Sequence, residues 1–338
     1  MKKIVFLRME DTPFGGAENY LRRLTAALHH HNVSFEIRYC TAPKWLASWI
    51  KALWFNFEAR WKKKEDEIYF SLARIDSADI YRAGDGVHRC FLRAMDKKSL
   101  NPYHWVTLWL EKRTFKNAKI IIANSQKGKQ EIIDTYRISE NKIEVIHNGI
   151  DVEAVAENYH KPSCLETDKP IILFVGTGFH RKGLARCLYL LSNINVDYQF
   201  IVLGKDKNQA SFEKLAQQLK INALFLGQRK DIAAFYYYAD IVITLPCYEP
   251  FSNVILEAMK NHCAVITSEE NGAGEILAQE FTAEKGRQET LRKLLTNQEF
   301  LQKTKNANAE LIKQYSIEKN INQTLRCIEH LRLYSKKI

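Results

Sequence analysis

The stretch Tyr248-Glu249-Pro250-Phe251-Ser252-Asn253-Val254-Ile255-Leu256-Glu257-Ala258 follows the β-like run Asp240-Ile241-Val242-Ile243-Thr244-Leu245, and together they decide the fold. The first run has the apolar density of a buried strand. Ser252 or Asn253 then opens a segment with helical apolar periodicity, so the two glutamates flank a strand-to-helix junction. Parallel α/β sheets bind ligands at such junctions. Free backbone N–H groups and the positive dipole end of the helix suit a phosphate, with Phe251, Ser252, Asn253 and Val254 as the natural donors, while carboxylates beside them suit hydroxyl groups. The implied ligand is a phosphate joined to polyols. Alone, the same glutamates could serve only the helix dipole and face solvent.

A second stretch favours the ligand reading. Pro170-Ile171-Ile172-Leu173-Phe174-Val175 reads as a parallel strand buried on both faces, and it runs into Gly176-Thr177-Gly178-Phe179-His180-Arg181-Lys182-Gly183. Glycines let backbone approach a ligand closely, and adjacent Arg181 and Lys182 supply charge-assisted contacts to a diphosphate. The third glycine of a dinucleotide G-x-G-x-x-G is missing, which argues against a dehydrogenase.

The E-x7-E spacing of Glu249 and Glu257, the Arg181-Lys182-Gly183 loop, and Gly15-Gly16-Ala17-Glu18 after the first strand resemble the retaining glycosyltransferases of family 4. The resemblance covers nearly the whole chain. Thr12-Pro13-Phe14-Gly15-Gly16, Val202 to Lys207 and Gly227-Gln228-Arg229-Lys230-Asp231 are similar to the branch that glucosylates the heptose region of the lipopolysaccharide inner core. It implies an α/β, GT-B architecture: two Rossmann-like domains facing a central cleft, with a C-terminal helix crossing back to the first. It also implies hexose transfer with retention from a nucleotide diphosphate sugar, UDP-glucose first, to a lipopolysaccharide-core or other lipid-linked saccharide. No cofactor or metal is implied beyond the nucleotide-sugar co-substrate; no Asp-x-Asp pair ends a strand, and Arg181 with Lys182 can carry the charge.

By the same resemblance, Glu257 takes the ribose hydroxyls, Glu249 the hydroxyls of the moving hexose, and Arg181 and Lys182 the departing diphosphate. Arg229 and Lys230 lie against the base, although Asp231 could simply cap the next helix. Gly15, Gly16 and Gly176 let backbone approach the donor. In Tyr81-Arg82-Ala83-Gly84-Asp85-Gly86-Val87-His88, either Asp85 or His88 serves the sugar and acceptor; the core branch aligns its aspartate with Asp85, and a lone histidine is often structural.

Strand-like runs recur at Lys3 to Leu7, Ser34 to Cys40, Ala78 to Ala83, Lys119 to Ala123 and Lys142 to Ile146. They return at Ile171 to Val175, Gln199 to Leu203, Ala223 to Leu226, Ile241 to Leu245 and Ala264 to Thr267. Alternation with helical patterns means parallel sheets. The expected division is 1–151 for the acceptor domain, joined by a helix at about 317–338, and 152–316 for the nucleotide-sugar domain. A length of 338 residues fits two units of roughly 150 residues.

Seven cysteines without C-x-x-C spacing read as scattered packing thiols in a reducing compartment. The first strand follows the initial methionine too closely for a secretory leader, and no run reaches the ~20 apolar residues of a span, so a cytoplasmic protein is expected. Net charge is +11, and all six tryptophans lie in the first third, at Trp45, Trp49, Trp54, Trp61, Trp105 and Trp109, among Lys44, Lys51, Arg60, Lys62, Lys63, Lys64, Lys112 and Arg113. Two readings stand: an anionic membrane surface met through 44–64 and 103–113, on the inner face of the cytoplasmic membrane, or tryptophans packed in the core with lysines in solvent. No recognised nucleic-acid motif accompanies the charge. Epimerase, phosphorylase or non-catalytic nucleotide-sugar sensor remain alternatives, since fold does not fix chemistry.

Overall fold

The computed structural model describes residues 2–10, 16–30, 33–97, 100–153, 159–166 and 168–334. The chain forms two compact units, Met1–His147 with Glu318–Ile338, and Asn148–Ile317.

The first unit runs β1 (Lys3–Arg8), α1 (Gly16–His30), β2 (Phe35–Tyr39), α2 (Ser48–Lys62), β3 (Glu67–Ser71), β4 (Ile80–Arg82), α3 (His88–Ala94), α4 (Pro102–Asn117), β5 (Ile120–Ala123), α5 (Gln126–Tyr136) and β6 (Ile143–Val145). Its strands form one parallel sheet in the order β2-β1-β3-β4-β5-β6. β3 is absent from the sequence-level strand set, and its chemistry explains why. Its first residue, Glu67, follows a charged run, yet the side chain is buried because Arg38 of the edge strand β2 receives it in an ion pair. A buried ion pair thus stands where apolar alternation would have announced a strand.

The second unit runs β7 (Ile171–Val175), α6 (Phe179–Lys182), α7 (Leu184–Leu191), β8 (Gln199–Leu203), α8 (Gln209–Gln218), β9 (Ala223–Gly227), α9 (Ile232–Tyr238), β10 (Ile241–Ile243), α10 (Asn253–Lys260), β11 (Ala264–Ile266), α11 (Arg287–Thr296) and α12 (Gln298–Ile312). The parallel sheet has the order β11-β10-β7-β8-β9. Its central strand is apolar at every position because both faces are covered: in β7, Ile172 and Phe174 enter one buried cluster, Ile171, Leu173 and Val175 the other. α13 (Ile317–Tyr334) follows, and from Glu318 it belongs to the first unit. There Tyr20 Oη and Thr324 Oγ1 are hydrogen-bonded at 3.0 Å, and Asn320 donates to the His147 carbonyl.

Each sheet has a point where successive connections turn to opposite sides. In the second unit it lies between β7 and β10, so the segments after these strands are neighbours at the carboxyl edge. In the first unit it lies between β1 and β3.

Candidate functional site

In the second unit, the two motifs singled out in the sequence meet at the switch point. The backbone turns after β7 through α6, a single helical turn bracketed by Gly178 and Gly183 in the left-handed region, at φ +77° and +76°. At Gly183 a side chain is excluded outright, since a Cβ would overlap the Leu245 carbonyl oxygen. Phe179 anchors the turn; it is fully buried, edge-on to Phe174 and Phe212. Removing such a ring would cost about 3–5 kcal/mol. Its burial fixes the turn that carries Arg181 and Lys182.

Both cations converge on one carboxylate. Arg181 Nη1 lies 2.6 Å and Lys182 Nζ 2.7 Å from Glu249 Oε2. The Glu249 side chain is only 12% exposed. Burial alone would push its carboxyl up, but the Lys182 ammonium and the Arg181 guanidinium together hold it below the ordinary value. The backbone is equally fixed: the Glu249 N–H donates to the Glu270 carbonyl and its carbonyl accepts from the Gly272 N–H, at 3.1 and 2.9 Å. The Cys247 N–H donates to the Arg181 carbonyl and Thr244 Oγ1 to that of Lys182, sewing the two loops together. Gly176 leaves room for the lysine stem, whose Cγ would stand 2.9 Å from an added Cβ.

Glu257 lies inside α10. Its Oε2 accepts from Tyr236 Oη at 2.8 Å, and burial raises its carboxyl, against lowering contributions from Tyr236 and Lys182. Lys182 therefore acts on both glutamates. Ser252 occupies the N-cap of α10, and its buried Oγ has no hydrogen-bond partner among the described residues. The Ser252 N–H, expected among the ligand donors, is instead given to Asn271 Oδ1 at 3.2 Å, because Asn271 braces the loop by also accepting from Ala273 N–H and donating to Thr267. Asn253 and Val254 form the first turn of α10, where helix geometry leaves N–H groups without intrahelical acceptors. Phe251 is buried beside them.

Arg229 and Lys230 follow β9 on the surface. Arg229 is held by Asp231 through two bonds, Nε to Oδ1 at 2.8 Å and Nη2 to Oδ2 at 2.7 Å. Asp231 stands at the N-cap of α9 but makes no capping bond with its side chain, since that carboxylate is taken by Arg229. Gly16 is the first residue of α1, and Gly15 lies outside the described residues.

In the first unit, Asp85 and His88 are separated by environment. Asp85 is 83% exposed, 3.8 Å from Arg74 Nη1. His88 opens α3 and is buried; its Nε2 and His104 Nδ1 are 3.0 Å apart, and its ring stacks on Phe91. Burial first, then the charges of Arg74, His104 and Lys97, pull its imidazole down to about 4, so it stays neutral at pH 7. Beneath it sits a residue the sequence hides: Glu111 of α4, wholly buried, accepts from the His88 backbone N–H at 2.7 Å, Arg74 Nε at 3.0 Å and Tyr136 Oη at 2.6 Å. Leu110-Glu111-Lys112-Arg113 reads as a solvated helix face. Tyr236 and Asn271 are hidden likewise, one within an aromatic run, the other within an Asn-Gly turn signal.

The tryptophans are mostly outside the core. Trp45, Trp54, Trp61, Trp105 and Trp109 are exposed, Trp45 to 83% and Trp61 to 77%, as is Phe57, and only Trp49 is half-buried. Trp54, Phe57 and Trp61 share one face of α2, which packs against the α4 that carries Trp105 and Trp109. Among the described residues, no helix is long and apolar enough to cross a membrane, and no cluster of three His, Cys, Asp or Glu is placed to hold a metal.

Comparison with known proteins agrees with these features. Residues 155–311 match the glycosyl transferases group 1 model, and residues 67–154 match that of glycosyltransferase family 4. An uncharacterized glycosyltransferase of Methanocaldococcus jannaschii is 27% identical over 220 residues, 61% of this chain and 53% of that protein. The lipopolysaccharide glucosyltransferase WaaG of Escherichia coli is 28% identical over 155 residues, 41% of each chain. The chain spans about half the length of the curated relatives it matches. Among solved structures, WaaG superposes with a TM-score of 0.77 at 18% identity, covering 95% of this chain and 98% of its own. Anabaena HepE, solved with UDP and glucose, gives 0.68 at 17% identity, with 98% and 100% covered. These superpositions establish a shared GT-B fold.

Proposed function

Because the chain belongs to the GT-B glycosyltransferases, with group 1 and family 4 domains, we propose that it is a retaining hexosyltransferase that moves glucose from UDP-glucose to a lipopolysaccharide-core or other lipid-linked saccharide. One observation carries the reading: Arg181, Lys182 and Glu249 converge at the switch point, beside the start of α10 with its unpartnered Ser252 hydroxyl. The glucose and the lipid-linked acceptor are supported by WaaG, a lipopolysaccharide glucosyltransferase, and UDP by HepE.

In this reading the diphosphate lies on Arg181 and Lys182 and on the first-turn N–H groups of Asn253 and Val254. Glu257, oriented by Tyr236, takes the ribose hydroxyls through its other oxygen, and Glu249 takes hydroxyls of the hexose. Arg229 and Lys230 border the base, Arg229 held in place by Asp231. Gly176 lets the β7 loop approach the phosphates. As the bond from the anomeric carbon to the diphosphate oxygen breaks, negative charge grows on the departing oxygen, and the cations bind this state more strongly than the ground state. The acceptor oxygen bonds to the anomeric carbon on the face the diphosphate leaves, and its proton passes to the departing phosphate oxygen, so configuration is retained. Asp85, exposed beside Arg74, serves the acceptor side; neutral His88 supports it. No step requires a metal, since Arg181 and Lys182 supply the counter-charge.

The exposed aromatic faces of α2 and α4, with Arg60, Lys62, Lys112 and Arg113 among them, suit peripheral attachment to the anionic inner face of the cytoplasmic membrane. The decisive experiment incubates the protein with UDP-, GDP- and ADP-hexoses and a heptose-containing truncated core lipid, with donor-only controls, and weighs the products. A lipid one hexose heavier with UDP release, from UDP-glucose, is expected. Donor conversion to another sugar without acceptor would mean an epimerase and overturn the proposal.

A further inference from the structure

A cavity of about 650 Å³ opens in the first unit between the edge strand β2 and α2. Its volume is that of a small-molecule site. Leu7, Phe55 and Ala59 give it a buried apolar floor, and Trp61 stands exposed at its rim. Four cations border it, Arg38, Lys62, Lys63 and Lys64, against two carboxylates, Glu36 and Glu58. Arg38 is committed to Glu36 and Glu67, and Lys63 to Asp79. Lys62 is exposed and pairs only along the helix with Glu58, and Lys64 has no ion-pair partner among the described residues. The helix face with Trp54, Phe57 and Trp61 adjoins the face that lines the cavity.

We propose that this cavity binds a single anionic phospholipid of the membrane, its phosphate on Lys62 and Lys64 and the start of an acyl chain against the exposed Trp61 ring. An apolar floor alone would take any hydrocarbon, and exposed lysines alone any anion. Their placement around one cavity selects a molecule carrying both. The inference rests on the membrane reading above and sharpens it from a surface to a stoichiometric site.

The test is titration of the whole protein by calorimetry with dihexanoyl phosphatidylglycerol below its micelle concentration, alongside dihexanoyl phosphatidylcholine and glycerol phosphate. The expected result is saturable one-to-one binding of phosphatidylglycerol, at least about tenfold tighter than of either control, and weakened by at least about tenfold in the Lys62→Glu/Lys64→Glu variant. Both positions are exposed, so the variant folds, and its thermal melt checks this. Equal binding of the two lipids, equal binding of glycerol phosphate, or an unaffected variant overturns the proposal. Co-sedimentation with phosphatidylglycerol vesicles separates the two claims: vesicle binding without short-chain binding removes the cavity site and leaves the surface, and the reverse removes the surface and leaves the site.

Discussion

Replacing Lys182 by methionine separates the two tasks of its side chain. Methionine keeps the stem that fills the space beside Gly176 and deletes only the ammonium. The ammonium makes one charge-assisted bond, 2.7 Å to Glu249 Oε2, and both side chains are 12% exposed. Such a bond contributes about 1.5–3 kcal/mol. Arg181 remains 2.6 Å from the same oxygen, so the carboxylate is not orphaned and the stability loss belongs at the lower end, about 1.5 kcal/mol. The rate loss should be larger, because the departing diphosphate loses a donor whose bond tightens as charge develops: about 2.7–4 kcal/mol, or 10²–10³ in kcat. Initial rates of UDP release at saturating donor and acceptor measure the second quantity, and urea unfolding the first. A kcat within about threefold of the parent, or a change confined to KM, would refute the argument, since the lysine would then bind ground and transition states alike.

Tyr236→Phe deletes the hydroxyl that orients Glu257, with an expected rise in KM for the nucleotide sugar of about fivefold, worth ~1 kcal/mol, and little change in kcat by steady-state rates. Glu111→Gln leaves the Arg74 guanidinium without its buried counter-ion and should cost about 3–5 kcal/mol by urea unfolding; an unchanged midpoint would show that the three-way hydrogen bond is not structural. His88 binds its proton near pH 4 when folded and near 6.5 when unfolded, so the unfolded chain takes up the proton first and stability falls as pH drops from about 6.5 to 4. A His88→Gln variant should flatten that part of the stability profile, and an unaltered slope would assign it to other groups.

Much of the second unit is readable from residue order, because strands covered on both faces are mostly apolar. β7 and β8 have the boundaries their apolar runs suggest, and the glutamates fall on either side of the α10 start. What the sequence conceals is polar burial settled by tertiary partners. Glu67 enters β3 because Arg38 comes from another strand, and Glu111 looks like a helix-surface charge until Arg74, Tyr136 and the α3 start close over it. The Ser252 N–H was claimed by Asn271, a residue nineteen positions away whose side-chain orientation no local pattern encodes. Tryptophan periodicity left core and surface equally open; only packing could show that the stripe on α2 stays uncovered.

The seating of Glu249 on both Arg181 and Lys182 also bears on selectivity among anions. Any phosphate reaching these cations must share them with a carboxylate fixed in place through its backbone bridge to residues 270–272. An inorganic anion without hydroxyl hydrogens would offer nothing to Glu249 and would meet its repulsion. Under the proposed function, a nucleotide sugar would bring hydroxyl hydrogens to the same carboxylate, turning a competitor into a partner. The internal salt bridge would then act as a filter, favouring a ligand that carries phosphate and polyol together.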